Sequence, residues 1–387
     1  MSAYPVGGEM MRRDAFSALL LHPVVVLLLL AVAIGGCRNR EPIKLGFAAS
    51  MTGKMGDLGV AGRDGAQVAV DEINDAGGIG GRKLQLIARD DRSDPAVAKE
   101  VDRELIRDGV VAIIGHLTSD MSLAAVPEVD QARVLLFGPT GGTRQLTGID
   151  DFFVRIYPDN HVAAGRLAGY LRQRLNLRTL AVVYDISNES YTGDYLSFFR
   201  REFGGNGGEF GKIMPFASKE RPSYLQLAES LVKSKPNGIF ILAGAVDTAM
   251  ICQQVRKLDP SIPLFAAEWA GSTELLKMGG SAVEGLTLCR YFDSSDQSPS
   301  YLQFKSAYRE RYKVEPTFAA AYSYEAVKII AAALARNGGD SRRLKETLLA
   351  MQKFQGLQGE ITLDRFGDAV RKVFVIRIDN GAFARVE

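Results

Sequence analysis

The sequence predicts an α/β protein of two doubly wound lobes, each built on a parallel β-sheet. Three observations support this. Strand-like apolar runs alternate with helical patterns along the chain, which is typical of parallel sheets with right-handed crossovers. The runs are continuously apolar, as expected of strands buried on both faces. The alternation restarts near residue 179, and 387 residues exceed one ordinary domain.

The first series of elements begins at residue 43. Its predicted strands are IKLGFAAS (43–50), KLQLIARDD (83–91), VVAIIGH (110–116), VLLFGPT (134–140) and FFVRIYP (152–158). After the first strand, the apolar residues of GRDGAQVAVDEINDAGG share one helical face, and the Gly77–Gly78 pair ends that helix. The Asp94–Pro95 pair predicts an N-cap followed by proline at the first helical position.

The second series repeats this pattern. Its predicted strands are TLAVVYD (179–185), FGKIMPF (210–216), GIFILAG (238–244) and PLFAAEW (263–269), each followed by a helical stretch. Residues 299–337 are strongly helical. The remaining segment predicts a strand, a turn at residues 364–367 and an amphipathic closing strand.

The N-terminal region predicts export. Arg12 and Arg13 precede an uncharged, largely apolar segment, residues 15–37. This pattern indicates a secretory signal over residues 1–36, although the segment is also long enough for an uncleaved anchor. Its end, IGGC, resembles a bacterial lipobox and favours cleavage before a lipidated Cys37. Either interpretation places the bulk of the protein outside the cytoplasm, tethered to a membrane.

Composition and motifs exclude several function classes. The net charge is +2 and the basic residues are not clustered, so no nucleic-acid partner is expected. No HExxH, CxxC, GxxxxGK or GxSxG pattern occurs, which argues against an enzyme, a metal or a cofactor. Cys252 and Cys289 could pair in an oxidising compartment, but their apolar surroundings favour two buried thiols.

Polar and small residues follow several predicted strands. In open parallel sheets, ligands bind outside the carboxyl ends of the strands. At these ends lie residues 50–53, 118–120, 138–143, 185–191, 244–247 and 268–269. Together they predict a binding cleft between the two lobes.

Ser119 and Trp269 are the most informative of these residues. Ser119 has two possible roles. It could serve merely as the cap of the following helix, or it could bind a carboxylate through its hydroxyl and amide at the helix start. Glycines 141 and 142 would let a second backbone segment approach the same point. Trp269 could be a core residue, but its place at a strand end favours a platform in the cleft.

Longer stretches carry a family resemblance. They are KLGFAASMTGKMGDLGVAGRDGAQVAVDEINDAGG, AIIGHLTSDMSLAAVPEV, FGPTGGTRQLT, SYTGDYLSFF and FAAEWAGSTELL. They resemble the type I periplasmic binding proteins of ABC importers, specifically the leucine/isoleucine/valine-binding family, over nearly all of residues 43–387. The resemblance implies the type I fold, with lobe 1 formed by 43–160 and 290–366 and lobe 2 by 161–289 and 367–387, joined by a multi-strand hinge.

The resemblance also implies ligand contacts. Ser119, beside Thr118, would hold the ligand carboxylate, and Thr140 would offer its carbonyl to the ammonium. The family's loop hydroxyl falls at Gly142, so the Gly142 amide could serve, or Thr143 could shift in. Gly141 belongs to the same loop.

Second-lobe positions depart further from the family. Tyr191 keeps the family tyrosine. The family acid aligns with Trp269, and the adjacent Glu268 would take the ammonium only if the loop is offset.

First-lobe positions differ from the family as well. Leu58 stands where an aromatic residue commonly lines the pocket. Ser93 and Thr118 replace a disulfide of some relatives. A related amino acid, an amide or an aromatic acid is therefore a plausible ligand.

The expected function follows from this resemblance. The chain would be a monomeric, non-enzymatic solute receptor that delivers a small amino-acid-like ligand, a branched-chain amino acid or a relative, to an ABC permease in the inner membrane. It would lie on the periplasmic side, lipid-anchored or secreted. A free-standing ligand sensor for amides or aromatic acids is the alternative, and a hydrolase is a third possibility.

Overall fold

A computed structural model describes residues 41–387. The predicted signal segment and Cys37 lie outside the described residues. The chain first forms β1 (Ile43–Ala49), α1 (Gly56–Asp75), β2 (Leu84–Asp90), α2 (Pro95–Arg107), β3 (Ala112–Gly115), α3 (Ser119–Ala132), β4 (Leu135–Gly138) and β5 (Phe153–Arg155). The five strands are parallel, in the order β2-β1-β3-β4-β5, and form the first sheet.

A second sheet follows. Its elements are α4 (Asn160–Gly169), β6 (Thr179–Asp185), α5 (Glu189–Gly205), β7 (Glu209–Phe216), α6 (Tyr224–Lys233), β8 (Gly238–Leu242), α7 (Ala245–Leu258), β9 (Leu264–Ala267), α8 (Thr273–Gly279) and β10 (Thr287–Arg290). These strands are parallel because each returns through a helix. The α/β fold class predicted from the sequence is confirmed.

The carboxyl-terminal part completes both halves. It contains α9 (Pro299–Tyr312), α10 (Phe318–Arg336), α11 (Leu344–Met351), β11 (Lys353–Gly356), β12 (Gly359–Leu363), β13 (Ala369–Val370), β14 (Phe374–Asp379) and β15 (Ala382–Arg385). β11 to β13 form a small antiparallel sheet, whereas β14 and β15 extend the second sheet to the order β15-β14-β10-β9-β8-β6-β7. The strand, turn and closing strand predicted here correspond to β12, the turn after it and β14, whereas β11, β13 and β15 were not predicted.

We call the elements around the first sheet the first lobe and those around the second sheet the second lobe. The chain runs between the two large sheets through residues 156–159, 291–298 and 371–373. The lobe boundaries stated above stay a prediction.

Helix α10 packs against α1 at close range. A Cβ atom on Gly65 would lie 2.0 Å from the carbonyl oxygen of Ala320, so only glycine allows the two helices this contact. Within residues 41–387, α10 is the helix long and apolar enough to cross a membrane, but 83% of that window is buried inside the protein. It is therefore the core helix of the first lobe.

Candidate functional site

Ser119 begins α3, directly after the loop that leaves β3. Thr118 is the N-cap residue, yet its hydroxyl makes no capping hydrogen bond. The Ser119 hydroxyl instead accepts a hydrogen bond from the Thr143 amide at 3.3 Å. Ser119 is 1% exposed and lines a cavity between the lobes. Its side chain therefore joins two loops at the cavity wall rather than capping its own helix.

The loop after β4 is fixed by its own polar groups. The Thr140 hydroxyl donates to the Leu117 carbonyl at 2.6 Å. The Gly142 carbonyl accepts from the Asn160 amide at 2.9 Å. These bonds hold the loop beside Ser119, with Thr140 in the cavity wall.

Arg155 holds this loop from behind. Its guanidinium is fully buried and donates to the carbonyls of Gly141 at 3.1 Å and Thr143 at 2.8 Å. It also donates to the Thr147 hydroxyl at 2.6 Å and forms an ion pair with Asp368 at 2.7 Å. These bonds fix the backbone of the loop on the side of Arg155.

Gly142 lies where the resemblance implies a hydroxyl side chain. A Cβ atom there would lie 2.3 Å from Asn160 Oδ1 and 2.9 Å from Tyr157 Cε1. Asn160 and Tyr157 thus fill the space that a serine or threonine would need, and glycine is the residue that fits.

Trp269 and Tyr191 form the second-lobe side of the cavity. Their rings meet edge to face, with centroids 5.8 Å apart. Trp269 lies in the single turn that follows β9, and Tyr191 lies in the first turn of α5. Burial raises the pKa of Tyr191 well above its usual value, so its hydroxyl stays protonated. That hydroxyl has no hydrogen-bond partner among the described residues.

Glu268 lies behind the cavity wall, not in it. Its carboxylate accepts hydrogen bonds from the Tyr291 amide at 3.2 Å and the Tyr322 hydroxyl at 3.0 Å, and it lies 3.8 Å from Arg290. Burial raises the pKa of Glu268, and Arg290 and the hydrogen bonds offset part of this effect. Adjacent residues of the turn point in opposite directions, so Trp269 faces the cavity and Glu268 faces the core.

The cavity encloses about 290 Å³ of space, part of which is open to solvent. Its wall contains Leu58, Leu117, Thr118, Ser119, Thr140, Tyr157, Asn188, Tyr191, Trp269 and Phe318. Of the residues predicted from the sequence, Gly141, Gly142, Thr143 and Glu268 lie outside this wall. Leu117, Tyr157, Asn188 and Phe318 were not predicted. The wall is mainly apolar and aromatic with a few polar groups, and this is the usual composition of a small-molecule pocket.

Contacts outside the cavity bridge the lobes. The Asp120 carboxylate accepts from the Ser190 amide at 3.1 Å, while the Asp120 amide donates to Asn188 Oδ1 at 3.3 Å. Asp120 lies in the first turn of α3 and Ser190 in the first turn of α5, so each lobe accepts a hydrogen bond from a backbone amide at a helix start of the other lobe. The Ser272 hydroxyl donates to Asp57 at 2.8 Å in a further bridge.

A buried ionic cluster lies behind the Ser119 loop. His116 Nδ1 contacts Asp91 at 2.7 Å and His116 Nε2 contacts Asp102 at 3.2 Å. Burial alone would lower the pKa of His116, but Asp102 and Asp91 raise it to about 10, so the imidazole is charged at neutral pH. Asp91 also accepts from the Ser50 hydroxyl at 2.5 Å. The cluster therefore ties together the ends of β1, β2 and β3.

The cysteines and the possible metal ligands within residues 41–387 indicate no second reactive site. Cys252 and Cys289 are free and buried, as the sequence favoured. Burial raises the pKa of Cys252 to about 12, so its thiol is unreactive at neutral pH. Within residues 41–387, no group of His, Cys, Asp and Glu side chains is arranged to hold a metal ion.

Known proteins match this chain along nearly its whole length. The leucine-, isoleucine-, valine-, threonine- and alanine-binding protein of Pseudomonas aeruginosa is 25% identical over 348 residues, which cover 87% of this chain and 91% of that protein. The crystal structure of a leucine-binding protein from Thermotoga maritima has a TM-score of 0.82 and 26% identity, with 89% of this chain and 98% of that one covered.

A third comparison gives the same fold. The branched-chain amino acid transporter substrate-binding protein of Streptococcus pneumoniae, solved with isoleucine, has a TM-score of 0.83 and 24% identity, with 89% of this chain and 98% of that one covered. The family model described as periplasmic binding protein matches residues 42–382. The chain therefore belongs to the periplasmic binding protein family, as a type I solute-binding protein of the leucine/isoleucine/valine-binding group, and this membership implies a periplasmic location.

Proposed function

We propose that this protein is the substrate-binding component of an ABC importer and binds a small amino-acid-like ligand in the cavity between its lobes. The observation that carries the proposal is the Ser119 hydroxyl in the wall of an interlobe cavity, at the start of α3. A hydroxyl beside a helix N-terminus suits a carboxylate. The relatives named above bind leucine, isoleucine, valine, threonine or alanine, or were solved with isoleucine.

The ligand would touch both lobes. Ser119, Thr118, Thr140 and Leu58 would contact it from the first lobe, and Tyr191 and Trp269 from the second. Gly141, Gly142 and Thr143 would shape the loop without forming the wall. A ligand favours the closed form only through contacts that exist in that form, so the second-lobe residues would drive closure.

The headgroup contacts differ from those the resemblance implies. No charged side chain is among the residues that line the cavity. An ammonium group would therefore rely on neutral acceptors, such as the unpartnered Tyr191 hydroxyl, with Glu268 acting only from behind the wall. The apolar and aromatic wall suits the side chain of a branched-chain or related amino acid. The lack of a charged partner for an ammonium group also suits a second candidate, an aromatic acid that has no ammonium group, which a free-standing sensor would bind.

The remaining expectations belong to the same proposal. A permease in the inner membrane would receive the ligand, and the protein would act as a monomer without catalysis. Cys37 would carry the lipid that anchors it. Mass spectrometry of the membrane-bound protein tests the anchor, because an acylated Cys37 adds the mass of its fatty chains and an unmodified one does not.

Ser119→Ala is expected to weaken ligand binding by one to two orders of magnitude. A hydrogen bond to a charged group contributes about 1.5–3 kcal/mol. The measurement is thermal shift against leucine, isoleucine, valine, phenylalanine, glutamine and benzoate, followed by calorimetry with each compound that stabilises the protein. Ser122→Ala is the matched control, because Ser122 lies one turn later and is not part of the cavity wall, and its hydroxyl donates to the His116 and Thr118 carbonyls. Equal affinities for Ser119→Ala and wild type would reject the proposed site.

Asp120→Ala is expected to weaken binding about three- to tenfold without touching the ligand. The hydrogen bond from Ser190 to Asp120 forms only where the lobes meet, and one such bond contributes ~1 kcal/mol. Asp120→Asn keeps an acceptor oxygen and should retain most of the affinity. If calorimetry gives the alanine variant the wild-type dissociation constant, this contact does not assist closure.

A further inference from the structure

A second, larger cavity adjoins the first. It encloses about 1010 Å³ of space, part of which is open to solvent, and it lies between the loops after β1 and β2 in the first lobe and the loops after β6 and β7 in the second. Thr118 and Asn188 belong to the walls of both cavities. A ligand held at Ser119 would reach the larger space by passing these two residues.

The wall of the larger cavity is strongly basic. It contains Lys54, Arg92, Lys219 and Arg221, against the single acid Asp94. The Asp94 carboxylate is already used, because it accepts from the amides of residues 96 and 97 as the cap of α2. The smaller cavity, in contrast, has no charged residue in its wall.

The two lysines of this wall link the lobes. Lys54 donates to the Ser218 carbonyl at 2.8 Å and pairs with Asp247 at 3.1 Å. Lys219 donates to the Ser93 carbonyl at 2.5 Å, which leaves its positive charge without a carboxylate. Both lysines therefore tie the two lobes together in this structure.

The two arginines have no such role. Neither the Arg92 nor the Arg221 guanidinium forms a hydrogen bond or ion pair with another described residue. The exposed Arg103, by comparison, pairs with Glu128 at 2.8 Å and Glu100 at 3.4 Å. Arg92 comes from the first lobe and Arg221 from the second, and both residues line the same cavity.

We infer that the larger cavity receives a second acidic group of the ligand, held between Arg92 and Arg221. This inference rests on the proposed function, in which the first acidic group is held at Ser119. The ligand class is then an elongated molecule with a carboxylate at each end, such as a dicarboxylic amino acid. Guanidinium groups bind carboxylates through paired N–H donors. If residues of both lobes contact the second acidic group of the ligand, this group would also stabilise the closed form of the protein.

Matched ligand pairs test this inference. Calorimetry compares L-glutamate with L-glutamine, and L-2-aminosuberate with L-2-aminooctanoate, which differ only at the distal end. We expect the acidic member of at least one pair to bind tenfold or more tightly than its neutral partner. The preference should shrink as salt concentration rises.

Variants assign the effect to the arginines. In Arg92→Gln/Arg221→Gln the preference should fall at least fivefold, while the neutral members keep their affinity within twofold. Lys212→Gln, an exposed cation of β7 outside the cavity, is the control and should change nothing. A preference that is absent, that survives in the double variant, or that appears only in the association rate through long-range steering would overturn the inference.

The two proposals fail in different ways. If neutral amino acids bind in a Ser119-dependent manner but acidic ones gain nothing, the proposed function stands and this inference is wrong. If no member of either pair and no compound of the first panel binds the wild-type protein, both are wrong.

Discussion

Replacing Arg155 by methionine is expected to lower the free energy of unfolding by about 3–5 kcal/mol, the usual cost of removing one partner of a buried ion pair. The substitution leaves Asp368 without its cation and removes the donor from three oxygens, the carbonyls of Gly141 and Thr143 and the hydroxyl of Thr147. The loop that carries Thr140 would lose its support. Ligand affinity should therefore fall as well, although Arg155 does not line the cavity.

Urea unfolding followed by circular dichroism measures the first effect, and calorimetry at a temperature where the variant is folded measures the second. Arg155→Lys keeps a positive charge beside Asp368 but cannot donate to all the acceptors. Its free energy of unfolding should therefore lie between those of wild type and Arg155→Met. Arg103→Met, which breaks surface pairs with Glu100 of α2 and Glu128 of α3, is the control and should cost less than ~1 kcal/mol. A destabilised Arg155→Met with unchanged ligand affinity would show that the arginine supports the fold and not the site.

Stability is expected to fall as the pH rises from about 6.5 towards 10, because of His116. The pKa of this histidine is about 10 in the folded protein against 6.5 for an unperturbed imidazole. When the pKa of a histidine is higher in the folded protein than in the unfolded chain, its charged form stabilises the fold. This stabilisation is fully present at a pH below the pKa of the unfolded chain, and it is lost as the pH rises to the pKa of the folded protein. One group can contribute a slope of at most about 1.4 kcal/mol per pH unit. The pKa of Asp91 is lowered despite burial, since His116 and Ser50 favour its charged form, so acid should also destabilise the cluster.

His116→Gln should remove the alkaline loss and cost about 3–5 kcal/mol, because Asp91 and Asp102 would remain as buried carboxylates without a cation. His161→Gln is the matched control, since His161 also contacts an aspartate, Asp159, but is exposed. Urea midpoints between pH 6 and pH 10 provide the measurement. If wild type and His116→Gln lose stability in parallel over this range, the cluster is not the cause. The wild-type curve alone remains decisive should the variant fail to fold.

Continuous apolar runs are sufficient to predict both large sheets, because strands buried on both faces leave little choice of other structure. Their ends are harder to predict. β5 was expected to continue to residue 158 but ends at Arg155, where the chain leaves the first sheet for the second lobe. The strand predicted before the turn at residues 364–367 is β12, but β11 and β13 were missed because they are only four and two residues long, too short for a reliable alternation.

The site was predictable where it follows strand ends. Ser119, Thr140 and Trp269 lie in the cavity wall for this reason. Glu268 could not be distinguished from Trp269 by sequence, since the direction of each side chain depends on the turn after β9. Phe318 at the start of α10 and Tyr157 in the first segment between the sheets were not recognised as residues of the site. Aromatic residues at a helix start and before Pro158 were the available signals.

The close contact of α1 with α10 bears on how the protein is made. Gly65 and Ala320 meet across 255 positions of sequence, so the first lobe cannot acquire its covering helix until most of the chain has emerged. A partly exported polypeptide would keep one face of α1 without its cover and would stay unfolded enough to thread through a secretion channel. Completion of this half of the molecule then coincides with the end of translocation, which is where a receptor outside the cytoplasm first needs to be whole.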